Sequence, residues 1–218
     1  MFTLIGDIVG SRKIPDRAVA QRAIGDALSR ANEAIDAVQL LEPTVGDEVQ
    51  GGFSTIGDAT LATLLIRLEL APAIDLRFGL GYGDVTVHDK DRRPLLQDGP
   101  GWWTAREAIN RLKGRRGTWY VGPSPGHTHT DHLPANTAQV NAFLLARDGL
   151  VTTLNDRQRR MLLSSLKGRS QREIAESERI SESAVSQAFA RGVRAAHEAQ
   201  VTFGISDASG AVPTFHAH

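Results

Sequence analysis

The order of strand and helix patterns in the first 82 residues constrains the fold most. Residues 2–9 are apolar and rich in strand formers, and residues 15–41 repeat apolar side chains at helical spacing. Strand-like runs at 41–45 and 49–53 flank Gly46-Asp47-Glu48, which is a hairpin signal. A helical pattern over 58–70 and an alternating strand pattern over 74–82 follow. This order predicts a ferredoxin-like βαββαβ unit and therefore an α+β fold.

The next stretch extends this unit to a predicted domain of residues 1–134. We predict a hairpin continuation at 85–88, a helix over 102–113 and a last strand over 118–121. Residues 122–133 form a loop rich in Pro, Gly and His. Residues 135–154 are predicted to be a connecting helix, over 135–147, and a linker.

From residue 155 the pattern changes to short helices. Asn155, Ser170 with Glu173, and Ser181 are suited to cap helices. We predict an all-α domain of residues 155–200 with helices over 158–167, 171–177 and 181–194. Residues 201–218 are predicted to be a frayed, disordered tail or a small hairpin wing, and we favour the tail.

Composition excludes several classes of protein. A chain of 218 residues without cysteine has no disulfide, no cysteine-ligated zinc and no cysteine nucleophile. No apolar run is long enough to span a membrane, and Asp7 interrupts the apolar start, so we expect a cytoplasmic protein without a membrane partner. Net charge is zero, but residues 151–200 hold nine basic and six acidic residues. A mildly basic module permits, without requiring, binding to nucleic acid.

Three acidic residues stand at loop ends that the predicted topology brings together. Asp7 ends the first strand, and Asp47 and Glu48 lie in the hairpin. Carboxylates so placed suit Mg²⁺ or Mn²⁺ bridged to a nucleotide such as ATP or GTP. The glycines and the Ser11-Arg12-Lys13 run beside Asp7 would supply amide groups and positive charge for phosphates. The alternative is that Asp47 and Glu48 are ordinary turn residues and Asp7 a solvated strand end.

Three segments carry a resemblance to known families. These are residues 6–12 (GDIVGSR), 46–51 (GDEVQG) and 77–83 (RFGLGYG). With them the chain resembles the SatD family over nearly its whole length. The same three segments are also similar to class III nucleotidyl cyclase homology domains. The cyclase resemblance implies that Asp7 and Asp47 bind two metal ions. The predicted metal residues are Asp7, Ile8, Asp47 and Glu48. The predicted nucleotide-binding residues are Gly6, Gly10, Ser11, Arg12, Lys13, Arg77, Trp103 and Arg106.

One segment departs from the cyclase pattern. Active cyclases carry an Asn and, four residues on, an Arg after a Gly-Pro turn, where this chain has Trp103 and Glu107. Arg106 precedes that second position by one residue, so on a helix its side chain would point about 100° away from it. Since a positioned cation often dominates such transition states, the departure favours nucleotide binding over catalysis. Trp102 or Trp103 is predicted either to stack on a base or to pack in the core.

The C-terminal helices resemble the helix-turn-helix modules of MarR, LuxR and sigma-region-4 proteins. The resemblance rests on residues 171–175 (QREIA) and 180–187 (ISESAVSQ). It implies binding of double-stranded DNA, with the last helix in the major groove. The residues predicted to read bases are Ser183, Ala184 and Gln187, and those predicted to contact the backbone are Arg172, Ser181, Ser186, Arg191 and Arg194. The alternative is a helical bundle used for packing or for protein contacts.

A third motif has metal-ligand spacing without the surrounding fold. His127, His129, Asp131 and His132 match the H-x-H-x-D-H pattern of metallo-β-lactamase-fold hydrolases. Too little chain follows for that fold, so we predict a surface loop that binds zinc or nickel only adventitiously.

Together these patterns predict a homodimeric transcription regulator whose cyclase-like domain binds a purine nucleotide and gates a helix-turn-helix. The alternatives are an active nucleotidyl cyclase or nucleotidyltransferase with a regulatory module, and an adaptor that binds protein through its helices.

Overall fold

Strands and helices alternate through the first half of the chain. A computed structural model describes residues 1–218 except 12–13, 45, 90, 92, 114, 124–135 and 210–218. The first elements are β1 (Phe2–Ile8), α1 (Arg17–Ala34), β2 (Gln39–Pro43), β3 (Glu48–Phe53), α2 (Ile56–Leu70) and β4 (Leu76–Tyr82). They are followed by β5 (Thr86–Asp89), β6 (Leu96–Asp98), α3 (Pro100–Arg111), β7 (Gly117–Val121) and α4 (Thr137–Thr153). The predicted α+β class is confirmed.

The main sheet has the strand order β2-β3-β1-β4-β7. β1 is antiparallel to both neighbours, and β7 is parallel to β4. In this register Asp7 lies opposite Glu48 on one side and Arg77 on the other. Because directly opposed residues share a face of a sheet, these three side chains form one row.

The two faces of the sheet pack against different helices. Leu4 and Phe78 belong to the main core with α1 and α2, whereas Ile5 packs against Trp102 and Ile109 of α3. The side chains of Asp7, Glu48 and Arg77 follow the parity of Ile5 and therefore share the face of α3. This parity places the row beside α3 and away from the main core.

The first helix ends earlier than predicted. α1 stops at Ala34 instead of continuing to residue 41. Asn32 explains the reversal, because its side chain donates to the Leu41 carbonyl at 3.0 Å and accepts from the Leu41 amide at 2.8 Å. These bonds hold β2 against α1, so the chain turns back directly after the helix.

The helix predicted to be a connector packs against β7, the edge strand of the main sheet. Asn141 of α4 accepts from the Tyr120 amide and donates to the Tyr120 carbonyl, both at 2.8 Å, and Asp148 accepts from the Thr118 amide at 2.8 Å. The polar groups of an edge strand need partners, and these side chains supply them. α4 therefore runs on to Thr153 as the cover of β7, which corrects its predicted role as a connector.

Four further helices follow: α5 (Asp156–Leu166), α6 (Gln171–Glu178), α7 (Glu182–Ala188) and α8 (Arg194–Ser209), with a π-helical segment at Phe189–Val193. The predicted caps are confirmed, since Asn155 and Ser170 form capping boxes and Ser181 caps α7. The third helix is predicted to run to residue 194, but α7 ends at Ala188, and Gly192 at φ +121° interrupts the π-helical segment that follows. None of the described helices has both the length and the apolar character required to cross a bilayer.

The predicted tail begins later than residue 201. α8 continues through Ser209 because it packs on the α+β part. Phe203 stacks on Phe143 of α4 with ring centroids 4.1 Å apart, and a Cβ added at Gly57 of α2 would lie 2.7 Å from Gly204 Cα. Residues 210–218 lie outside the described part of the chain.

Candidate functional site

Four charged side chains meet on the α3 face of the sheet, at the end of β1. Asp7 and Glu48 stand opposite each other on β1 and β3, and Arg77 stands opposite Asp7 on β4. Arg106 reaches the same point from α3. We call Asp7, Glu48, Arg77 and Arg106 the charged row. With two carboxylates and two guanidinium groups it is electrically neutral.

Asp7 is held by Arg77 on the neighbouring strand. Arg77 donates from Nε to Asp7 Oδ2 at 3.0 Å and also from Nη2 to the same oxygen. The third nitrogen, Nη1, points to the Leu112 carbonyl at 3.5 Å. Both side chains of the pair are about a quarter exposed, at 24% and 25%. One carboxylate oxygen of Asp7 is therefore engaged, in a place that a ligand can reach.

Glu48 is held by Arg106 in a two-pronged ion pair. Arg106 donates from Nη1 to Glu48 Oε2 at 2.6 Å and from Nη2 to Oε1 at 2.8 Å. Gln50 adds a bond from Nε2 to Oε1 at 3.0 Å. The hydrogen bond to Glu48, with its charge, raises the pKa of Arg106 above its ordinary value, although partial burial opposes this. Arg106 remains a permanent cation at the site.

A cleft of about 530 Å³ opens beside Glu48 and Arg106. It lies between β1 and β3, the N-terminal half of α3, and an arm formed by β5 and β6. We call it the α3 cleft. Its lining residues are Ile5, Thr44, Glu48, Gln50, Pro94, Leu95, Leu96, Gln97, Trp102, Trp103 and Arg106.

The two tryptophans of the α3 cleft have different environments. Trp102 is 7% exposed and packs with Ile5, whereas Trp103 is 59% exposed. Trp103 Nε1 donates to Asp98 Oδ1 at 2.7 Å. Bonds from the Gly99 amide and from Trp103 lower the pKa of Asp98. Of the predicted alternatives, core packing thus describes Trp102, and Trp103 presents its ring at the cleft.

Two residues of the predicted site, Gly6 and Ile8, have packing roles that follow from the parity of β1. Gly6 and Ile8 both face the main core, on the side opposite Asp7. A Cβ at Gly6 would lie 2.6 Å from Val49 Cγ2 and 2.7 Å from Phe78 Cε1, so this glycine is required for packing. The side chain of Ile8 is 7% exposed and packs in the core, and its predicted metal role stays a prediction.

The other predicted residues near Asp7 have mixed placements. Gly10 is exposed with φ +71°, and Ser11 is half-buried just after β1. Asp47 is exposed in the turn before β3. Arg12 and Lys13 lie outside the described residues, as do His127, His129, Asp131 and His132.

The predicted carboxylate trio is only partly assembled. Among the described residues, no group of three or more His, Asp and Glu side chains is close enough to hold a metal ion. Asp7 and Glu48 stand together, and Asp47 stands apart. Sequence reasoning missed the partners of these carboxylates, in particular Gln50 and the pairing of Arg106 with Glu48. The alternation of Glu48 and Gln50 along β3 was the available signal.

The C-terminal residues predicted to contact DNA lie mostly on the surface. Arg172, Ser181, Ser183, Ser186, Gln187, Arg191 and Arg194 are exposed, and Ala184 is half-buried. Ser181 is occupied locally, since its hydroxyl caps α7 and lies 2.9 Å from Ser183 Oγ. Arg172 pairs with Glu176 at 3.2 Å. The turn between α6 and α7 passes through Arg179 in the left-handed conformation, at φ +55°.

Comparison with known proteins gives one family and one structural likeness. The model of the SatD family matches residues 1–195. The curated proteins contain no match. Among solved structures, the adenylyl cyclase CyaB from P. aeruginosa is similar at 13% identity with a TM-score of 0.38, over 55% of this chain and 74% of that one.

Proposed function

The chain belongs to the SatD family, and from this premise we propose that it is a transcription regulator. In this proposal its α+β part binds a purine nucleotide with Mg²⁺, and its C-terminal helices bind double-stranded DNA as a homodimer. The succession β1-α1-β2-β3-α2-β4 with the sheet order β2-β3-β1-β4 supports a ferredoxin-like unit as the nucleotide-binding part.

The charged row is the observation that carries the nucleotide part of the proposal. Opposed residues on neighbouring antiparallel strands have Cβ atoms roughly 5 Å apart, so Asp7 and Glu48 fit a shared divalent cation. Both would hold Mg²⁺ through carboxylate oxygens. Bound there, Mg²⁺ would supply positive charge that bridges to phosphate oxygens.

Arg106 suits binding to either of two partners, the Glu48 carboxylate or a phosphate of the nucleotide. In the ligand-free chain it neutralises Glu48, and its side chain is 48% exposed. With Glu48 engaged by Mg²⁺, Arg106 would be available to hold a phosphate, because guanidinium groups bind phosphate and carboxylate in the same two-pronged manner. Arg77 remains beside Asp7 as a second cation for the phosphates.

Glu107 favours binding over catalysis at this site. In place of a transition-state cation, α3 carries an acidic residue that pairs with Arg111 at 2.6 Å and is 52% exposed. Glu107 lines no part of the α3 cleft among its described residues. The regulator is therefore preferred to the active cyclase or nucleotidyltransferase.

The arrangement of α6 and α7 supports the DNA-binding part. Two short helices joined by a three-residue turn match the helix-turn-helix pattern, and α7 exposes Ser183, Ser186 and Gln187. Glutamine suits bidentate contact with adenine in the major groove. Arg191 and Arg194 follow on the exposed surface, where phosphates would lie.

Calorimetric titration with ATP and GTP, with and without Mg²⁺, tests the proposed site. We expect Mg²⁺-dependent binding that Asp7→Asn or Glu48→Gln weakens by about tenfold or more, since each removes a charged ligand. Glu107→Gln removes an exposed carboxylate from the same helix as Arg106 and should leave the affinity unchanged. Equal affinities in all three variants would contradict the site.

A further inference from the structure

Two residues that line the α3 cleft each carry a buried polar atom that has no hydrogen-bond partner within the described part of the chain. They are Nε1 of Trp102, a donor, and Oε1 of Gln97, an acceptor. Both residues line the cleft, and Trp102 is more than nine-tenths buried. Buried polar groups are normally bonded, because a group removed from water otherwise loses its hydrogen bonds without compensation. One unused donor and one unused acceptor therefore lie behind the wall of this cleft, each covered from solvent.

Trp103 adds an aromatic surface to the same cleft. Its side chain is 59% exposed, which is unusual for so large an apolar group. Its only polar atom is already bonded to Asp98, at 2.7 Å, and this bond fixes the edge of the ring. What remains available to a ligand is the face of the indole, which suits stacking against a planar heterocycle.

We propose that the α3 cleft binds the purine base of the nucleotide, an inference that rests on the function proposed above. The base stacks on Trp103, and local shifts of the Trp102 and Gln97 side chains toward it let the base accept a hydrogen bond from Trp102 Nε1 and donate one to Gln97 Oε1. Purines meet these requirements because each has a π-face and an edge with a donor beside an acceptor. Adenine presents its amino group beside a ring nitrogen, and guanine presents N1–H beside O6.

The position of the cleft agrees with this assignment. Glu48 and Arg106 line it together with the aromatic residues, so a base in the cleft directs its phosphates toward the charged row. A volume of about 530 Å³ lies in the range of small-molecule sites. Among the described residues the lining has one carboxylate and one guanidinium, and the other described lining residues are uncharged, as a base and ribose require.

Trp119 provides a matched control for the tryptophan test. Its Nε1 is also buried without a hydrogen-bond partner in the described residues, but it lines a different groove, beside α4 and the loop after α3. Trp119→Phe therefore removes the same kind of donor elsewhere in the fold. Trp102→Phe keeps an aromatic ring in the core and removes only the donor and part of the indole.

The test is calorimetric titration of the full chain with adenosine, guanosine, ATP, GTP and tripolyphosphate in the presence of Mg²⁺. We expect Trp102→Phe and Gln97→Leu each to weaken nucleoside and nucleotide binding by about threefold to tenfold, which corresponds to one hydrogen bond. Trp103→Ala should weaken it by about tenfold through lost stacking. Tripolyphosphate binding should not change in any of these variants, and Trp119→Phe should bind all ligands as the natural chain does.

The outcomes separate this inference from the proposed function. If nucleotides bind with Mg²⁺ but the three cleft variants keep natural affinity, the base lies elsewhere and the inference is overturned, while the charged row stands. If nucleosides bind in the cleft and tripolyphosphate does not bind, the inference stands and the phosphate site fails. Absence of binding by both nucleosides and nucleotides overturns both.

Discussion

At the scale of single residues, the site depends on which side chains are allowed between the sheet and α3. Gly79 and Gly81 share the α3 face with the charged row, and neither leaves room for a side chain. A Cβ at Gly79 would lie 2.3 Å from the Ala105 carbonyl oxygen and 2.4 Å from the Ile109 amide nitrogen. These are backbone atoms, so the helix itself would have to move. Because β4 carries no side chain at Gly79 and Gly81, α3 packs close to the sheet and its Arg106 reaches the carboxylates.

Gly79→Ala should therefore destabilise the fold by about 1–3 kcal/mol, as overpacking does in a close-packed interior. The measurement is urea unfolding followed by tryptophan fluorescence. Gly25→Ala is the matched control, because Gly25 lies in α1 with no atom within 4 Å of an added Cβ. It should raise stability by about 0.5–1 kcal/mol through helix propensity. A Gly79→Ala variant as stable as the natural chain would show that α3 does not pack as described.

At the scale of elements, α5 and α6 are joined by an ion pair that should respond to pH. Arg160 donates to both oxygens of Glu178, at 2.8 and 2.7 Å, and Arg157 lies 3.7 Å away. The hydrogen bonds from Arg160 lower the pKa of Glu178 below its ordinary value. A lowered folded-state pKa stabilises the fold above the unfolded pKa, and this contribution is lost as the pH falls through the folded one.

Glu178→Gln should thus cost about 0.5–1 kcal/mol at pH 7, the usual range for an ion pair of which one partner is exposed. The difference from the natural chain should disappear as the pH falls through the lowered pKa of Glu178. Thermal unfolding from pH 7 down to the acid range measures this directly. A constant difference across the range would mean that the pair contributes no charge-dependent stability.

The elements also show what sequence patterns can and cannot predict. Strand and helix periodicity located β1 to β4 and the caps of α5 to α7, because these signals are local. The predicted site roles of Gly6 and Ile8 stay predictions, and strand alternation already places both residues on the face of β1 opposite Asp7. Asn141 covering β7, and Phe203 holding α8 on α4, depend on contacts between residues distant in sequence, which periodicity does not encode.

At the scale of the whole molecule, one buried arginine links the sheet to the C-terminal helices. Arg147 of α4 donates to the Thr60 carbonyl of α2 at 2.8 Å, to Gln200 Oε1 of α8 at 2.9 Å and to Asp148 Oδ1 at 2.8 Å. It is 1% exposed, and burial lowers its pKa while Asp148 opposes that effect. Leu64 and Leu68 of α2 also share a hydrophobic cluster with α5 to α8. The helices that carry α7 are thus packed firmly against the α+β part.

The chain should accordingly unfold in one transition. Fluorescence of Trp102, Trp103 and Trp119 reports the α+β part, and far-ultraviolet circular dichroism reports all helices. We expect coincident midpoints for the two signals. Arg147→Met should lower stability by about 3–5 kcal/mol, the usual cost of breaking a buried ion pair, and should lower both midpoints together. A separate melting of helices without a fluorescence change would contradict this linkage.

Retardation of the DNA upstream of the protein's own gene in a gel tests the central claim most directly. The protein is added with and without ATP or GTP and Mg²⁺, at low salt, where binding to DNA is strongest. The account predicts a specific retardation whose apparent Kd changes at least about threefold with nucleotide in the natural chain and in Glu107→Gln, but not in Asp7→Asn. Retardation that is the same with and without nucleotide, or no retardation at all, would contradict it.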